Sequence, residues 1–212
     1  MKRRDFLTLV SLAPALAASL ATTAASASAG GMLSLRDISG FFNSFETAEG
    51  DFTQVNPDGS LSTGRLMIHR PGRVRFEYDP PNRDLVIASA GSVNIFDARS
   101  NQGPTVYPLR RTPLNLILGR RVDLARERMV VDHFRDGPTT IVVAQDPERP
   151  EYGNIRLVFS ADPIELRQWV ITDDMGRETT VILGELRLDT RLTANIFDVD
   201  RELRQRGITQ AP

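Results

Sequence analysis

Cysteine is absent from this chain of 212 residues, so no disulfide and no thiolate metal site can form, and no thiol is available for lipid attachment. Histidine is scarce. His69 and His133 are the only two, too few for a histidine-rich zinc site. The sequence contains no Gly-x-Ser-x-Gly elbow, no Walker A loop and no Gly-x-Gly-x-x-Gly turn, which removes the common signatures of hydrolases and nucleotide binders. Asp132-His133 could suggest a catalytic pair, but it falls in an expected strand, where neighbours point to opposite faces; it reads as incidental. Asp198-Val199-Asp200 lacks the glycine and distal glutamate of a calcium loop. The expectation is therefore a protein with no catalytic residue, no cofactor and no metal, an esterase with an unrecognised site being the remote alternative. An excess of positive charge is missing too. The chain carries a formal net charge of −1, which argues against a nucleic-acid partner while leaving brief contact with membranes or proteins open.

What is present begins with a charged start, Lys2, Arg3 and Arg4, followed by a run without charge over residues 6–29. The run closes on Ala25-Ser26-Ala27-Ser28-Ala29, the small residues that signal peptidase requires. Pro14 and the many Ala, Ser and Thr make it weakly apolar for a membrane span, so cleavage after Ala29 is expected, with an uncleaved anchor as the competing reading. Arg3-Arg4-Asp5-Phe6-Leu7 fits a twin-arginine signal and a plain Sec signal alike. Either route ends outside the cytoplasm. Removing residues 1–29 leaves about 183 residues with a net charge of about −3, enough for one domain to bury a core without covalent staples. The expected organisation is a signal peptide over 1–29, a domain over 30–200, and a polar, loosely ordered tail over 201–212.

Hydrophobic periodicity predicts a helix over residues 33–48: Leu35, Ile38, Phe41, Phe42 and Phe45 recur at spacings of three and four, with Gly50 placed to end it. From Asp51 the period changes to two. Strands are predicted over 51–56, 60–70, 73–78, 85–88, 93–96 and 105–109. Turn signals separate them, among them Pro57-Asp58-Gly59 and Pro80-Pro81-Asn82. Pro113 opens a short apolar helix, Leu114-Asn115-Leu116-Ile117-Leu118, closed by Gly119. Strands resume over 129–134, 139–144, 155–160, 165–172 and 178–187, and 194–199 fits a helix or a strand. Many short strands at this spacing suggest a sandwich or a barrel.

Several short signatures follow one another in a fixed order. They are Asp51-Phe52-Thr53-Gln54, then Gly64-Arg65-Leu66-Met67-Ile68-His69-Arg70-Pro71-Gly72, then Phe76-Glu77-Tyr78 with Pro80-Pro81, and Ser92-Val93-Asn94-Ile95-Phe96-Asp97. Leu166-Arg167-Gln168-Trp169, Asp173-Asp174-Met175-Gly176-Arg177-Glu178-Thr179-Thr180 and Ile196-Phe197-Asp198-Val199 complete the series. Together they resemble the outer-membrane lipoprotein carrier proteins, the LolA family. The resemblance implies a mainly β fold with a few helices: an open, incomplete antiparallel β-barrel with a helical lid over its concave apolar face. It also implies a soluble periplasmic shuttle that takes lipoproteins, by their acyl chains, from an inner-membrane ABC transporter to an outer-membrane acceptor; the chain is expected to be a monomer. In the family the arginine of the Arg-Pro pair holds the lid, and the matching residue here is Arg70. The acceptor protein of the same pathway shares the fold but is lipid-anchored, so the lack of cysteine favours the carrier. One departure stands out: the family's Phe-x-x-x-Pro-Pro-x-Gly ending is replaced by Phe197-Asp198-Val199-Asp200-Arg201.

Apart from the resemblance, alternation on a strand aligns Leu66, Ile68 and Arg70 on one face. An inward guanidinium would require acceptors from loops or helix ends; an outward one would lay its stem on apolar neighbours and its head in water. The residues alone leave both open. Leu66, Ile68, Val74, Phe76 and Tyr78 are the candidate cavity lining. Ile38, Phe41, Phe42, Phe45, Leu114, Ile117 and Leu118 are the candidate lid, with Arg70 as its latch and ordinary core packing as the competing reading for each. The expected interior is oily and not filled by its own core. A related envelope module for another lipid or amphiphile, without lipoprotein transfer, is the alternative function.

Overall fold

The segments of period two pair into one antiparallel sheet of 12 strands. The structure is a computed structural model that describes residues 31–100, 102–112 and 114–208; the expected signal peptide and the end of the expected tail lie outside these residues. The strands are β1 (Thr47–Val55), β2 (Leu61–His69), β3 (Arg73–Tyr78), β4 (Leu85–Ser89), β5 (Ser92–Phe96) and β6 (Thr105–Pro108), then β7 (Val130–Asp136), β8 (Thr139–Ala144), β9 (Asn154–Ala161), β10 (Ile164–Thr172), β11 (Glu178–Leu183) and β12 (Arg187–Leu188). Their order is β6-β5-β4-β3-β2-β1-β11-β10-β9-β8-β7, with β12 also paired to β1. Hairpin connections thus run outward from β1 to one edge, and β11 brings the second half of the chain back beside it. The sheet does not close, because β6 and β7 remain its two edges.

Register decides what the interior contains. Leu66 pairs with Phe76 and Ile68 with Val74, Ala48 with Ile68, and Trp169 with both Val181 and Leu157; directly opposed residues share a face. These side chains belong to one apolar cluster. The sheet curls enough for its two halves to touch. The rings of Phe76 on β3 and Trp169 on β10 lie 5.8 Å apart, edge to face, although four pairings separate the two strands.

Helix α1 (Leu35–Asn43) opens with a capping box: Ser34 Oγ accepts from the Asp37 N–H and the Asp37 carboxylate accepts from the Ser34 N–H. It is shorter than the periodicity predicts. The chain leaves the helix at Ser44, and Thr47 already pairs with His69 in β1. Phe45 therefore lies beyond the helix, still buried. Gly50 sits inside β1 rather than ending α1. A β-carbon there would meet the Glu185 carbonyl oxygen at 2.8 Å and the Leu186 side chain at 2.9 Å, so the glycine allows a close chain crossing. The strand expected over 178–187 is broken at the same crossing, between β11 and β12. Helix α2 (Leu114–Leu118) appears where Pro113 and Gly119 bracket it.

The tail departs from expectation. Residues from Arg201 are not loose at their start but continue helix α3 (Val199–Gln205), whose N-cap, Asp198, accepts from the Arg201 N–H at 3.0 Å. Leu203 buries itself against Leu85, Ile87 and Phe96 on the outer face of the sheet, helped by Val199 and Ile208. Arg75 on β3 donates to the Ile196 carbonyl at 3.0 Å and lies 3.4 Å from the Glu202 carboxylate. The sequence carries faint signals of this helix, the N-cap Asp198 and the pair Val199 and Leu203 four residues apart.

The two sides of the sheet should respond differently to truncation. Phe159→Ala, at the centre of the inner cluster, should cost about 3–5 kcal/mol, read as a lower urea midpoint for the whole domain. Leu203→Asp should instead release α3 locally, read as faster hydrogen exchange over 199–208 with the global midpoint little changed.

Candidate functional site

Arg70 immediately follows β2, and alternation along that strand aims it to the inner side with Leu66 and Ile68. It is 4% exposed. Its guanidinium reaches two different elements. Nε and Nη2 both donate to the Gly119 carbonyl, at 3.2 and 2.8 Å. Nη1 donates to the Phe45 carbonyl at 3.1 Å and Nη2 to Asn43 Oδ1 at 3.2 Å, with a longer 3.5 Å approach to the Arg120 carbonyl. The Phe45 ring stacks 5.8 Å from the guanidinium carbon. All these acceptors are neutral. Burial therefore lowers the pKa of Arg70 from its ordinary value, yet an arginine starts so high that it stays charged. A charge held by neutral carbonyls is held more loosely than one in a buried ion pair.

Further hydrogen bonds continue the clamp. Asn43 grips the backbone of Val122 from both sides, donating to its carbonyl at 2.8 Å and accepting from its N–H at 2.9 Å. Ser39 Oγ accepts from the Leu124 N–H at 3.0 Å, and the Gly72 N–H donates to the Leu118 carbonyl at 2.8 Å. At the other end of α1, the Thr140 hydroxyl accepts from the Leu33 N–H at 2.9 Å and His133 Nε2 contacts the Leu33 carbonyl at 2.7 Å. Helix α1 is thus tied to β7 and β8 at its start and runs into β1 at its end. The segment 114–124 depends on Arg70, Asn43, Ser39 and Gly72.

Beneath this clamp the predicted residues come together. Leu66, Ile68, Val74 and Phe76 from the sheet, and Ile38, Phe42, Phe45, Ile117 and Leu118 from the covering elements, are buried in one cluster, with Phe41, Leu114 and Tyr78 packed at its margin. Phe42 meets Phe159 edge to face at 5.8 Å. The expected unfilled interior is not what the structure shows: covering side chains and the Phe76–Trp169 contact occupy it. A groove of about 710 Å³ runs along Asp51, Thr53, Arg65 and Glu77, on the face opposite Leu66. Another of about 660 Å³ is lined by Gln54, Asn56, Ser62, Tyr78 and Arg99. Tyr78 marks where the inner face turns polar: its hydroxyl donates to Gln54 Oε1 at 2.7 Å, and burial, then the charge of Asp84, pushes its pKa up to about 12. Among the described residues no group of three or more His, Cys, Asp or Glu could hold a metal ion.

Arg70 thus ties two covering elements over the apolar side of an open, curled sheet. The family model described as outer membrane lipoprotein carrier protein LolA matches residues 43–200. The chain belongs to the LolA family. Curated LolA relatives named outer-membrane lipoprotein carrier protein include one from Pseudomonas aeruginosa, 24% identical over 194 residues, covering 86% of this chain and 91% of the relative. One from Nitrosomonas europaea is 28% identical over 174 residues, 77% of this chain and 82% of the relative. Among solved structures, a LolA superfamily protein from Nitrosomonas europaea aligns with a TM-score of 0.42 and 9% identity, over 80% of this chain and 99% of the other. A score of that size adds nothing to the fold described above.

The sequence does not mark Asn43, Ser39, Phe159 or Trp169 as site residues. Asn43 and Ser39 carry no pattern that separates them from ordinary helix polar residues, and Phe159 reads as one apolar residue of a strand. Replacing Arg70 by Lys should keep the charge but lose the double contact with Gly119 and the reach to Asn43. The expected result is at least about tenfold faster exchange of the Val122 and Leu124 amides, corresponding to about 1.4 kcal/mol or more of lost local stability. Unchanged protection at both would show that Arg70 does not hold the segment.

Proposed function

We propose that this protein is a periplasmic carrier that binds the acyl chains of lipoproteins released from the inner membrane and delivers them to the outer membrane. The observation that carries the reading is the buried Arg70, which fastens α1 and the segment after α2 over a continuous apolar surface using neutral acceptors alone. Membership of the LolA family and the names of its curated relatives support the same cargo.

In this reading α1 and the 114–124 segment are a lid, and Leu66, Ile68, Val74, Phe76 and Tyr78 line what the lid covers. The energetics suit exchange. One long acyl chain represents on the order of 10 kcal/mol of hydrocarbon kept from water, at ~0.8 kcal/mol per methylene. The sheet surface is already covered by Phe42, Ile117 and Leu118, so a chain entering it replaces one apolar contact by another. What is lost is the set of Arg70 hydrogen bonds, each worth about 1.5–3 kcal/mol because the donor is charged. Lid and cargo therefore compete for the same surface on nearly equal terms, which allows release. Loading by an inner-membrane ABC transporter and unloading to an outer-membrane acceptor would supply direction, and residues 1–29 would supply export.

Incubation with spheroplasts should release anchored lipoproteins as soluble one-to-one complexes. Recovery of free lipid alone would favour a binding module for another amphiphile. Arg70→Leu should still accept lipoprotein but hand it on poorly, because the altered lid no longer closes behind a departing chain. Transfer by that variant at the wild-type rate would rule out the latch.

A further inference from the structure

Residues 109–129 contain Arg110, Arg111, Arg120, Arg121, Arg126 and Arg128 against only Asp123 and Glu127. This is a net of +4 in a mature chain of about −3, so the rest of the mature protein carries about −7. All six arginines are exposed. Among the described residues only Arg126 has an ion-pair partner, Asp123 at 3.5 Å. Several arginines elsewhere are paired, among them Arg156 with Glu178 at 2.6 Å, Arg167 with Glu165 at 2.8 Å, and Arg187 with Glu49 at 3.0 Å. Net positive charge is thus gathered on the segment that covers the barrel, with Glu127, Asp146 and Glu148 sharing a groove with Arg110 and Arg111.

The same segment is apolar underneath. Leu109, Leu116, Ile117, Leu118, Val122 and Leu124 are buried. Just before it, on the edge strand β6, Val106 and Tyr107 stand 55% and 48% exposed. Arginines above an apolar underside, with an exposed tyrosine beside them, are the composition of a segment that lies in a membrane interface. We propose that the face formed by residues 105–128 docks reversibly on anionic phospholipid bilayers, with the arginines on headgroup phosphates. An acidic protein surface would satisfy the arginines, but not the apolar side chains that an opening lid turns outward; the acyl boundary of a bilayer takes both. Docking also bears on the latch. The Gly119 and Arg120 carbonyls that hold Arg70 lie in the same short loop as the Arg120 and Arg121 side chains, so phosphates drawing on these arginines favour the open lid. The proposal rests on the carrier reading wherever it invokes an opening lid.

Flotation of the cargo-free full-length mature protein with vesicles tests the docking. Vesicles of phosphatidylcholine containing about 30% phosphatidylglycerol should bind it at low salt, pure phosphatidylcholine vesicles should not, and binding should fade as ionic strength rises toward about 0.3 M. The variant with Arg110→Gln, Arg111→Gln, Arg120→Gln and Arg121→Gln, checked for an unchanged melting temperature, should lose about fivefold in partition for each arginine removed. Arg201→Gln with Arg204→Gln, exposed on α3 over the outer face, should bind like the wild type. Indifference to phosphatidylglycerol, or equal loss in the two variants, would overturn the proposal. Neither outcome touches cargo release from spheroplasts, which tests the carrier reading separately.

Discussion

A guanidinium taken out of water must be met by acceptors, and the rest of the inner architecture follows from how Arg70 is met. Its fork spans the gap between the end of α1 and the turn after α2, drawing the Phe45 and Gly119 carbonyls to one point. Leaving so polar a group unpaired in an apolar setting would cost several kcal/mol, so the two covering elements cannot both move away without giving it water. The charge therefore does more than bind: it makes the positions of two separate chain segments depend on each other. Every acceptor that meets it is neutral, so no buried carboxylate adds an ion pair to that dependence.

The sheet supplies the second requirement, an apolar surface that is covered by side chains from outside the sheet. A sandwich would bury this face under a second sheet, and a closed barrel would fill it from all sides. Here an open sheet curls until β3 and β10 touch through Phe76 and Trp169, and the remaining surface is covered by one short helix and one loop-like segment. Such elements have few backbone bonds of their own to the sheet, and belong to the part of a fold that opens at low cost. The outer face is treated differently. Its apolar patch at Leu85, Ile87 and Phe96 is sealed by α3, and Arg75 pins that seal with Glu202.

Periodicity alone was enough to place nearly every strand, because a sheet with one dry face writes its pattern at every second residue. The bracketing Pro113 and Gly119 marked α2, and alternation put Arg70 in line with Leu66 and Ile68, although it could not say whether that arginine faced an interior or water. Local pattern failed where distant chain overrode it: at residues 44–50, where pairing of Thr47 with His69 ends the helix early, and at Arg201–Gln205, where an apolar patch on β4 and β5 recruits a helix from a polar stretch. Asn43, Ser39 and the acceptors of Arg70 belong to the folded molecule alone. A hydrogen bond between residues 49 apart in the chain leaves no periodic trace in it, and whether an inner surface is vacant or covered depends on the curl of the whole sheet, a sum of small twists that no single segment encodes.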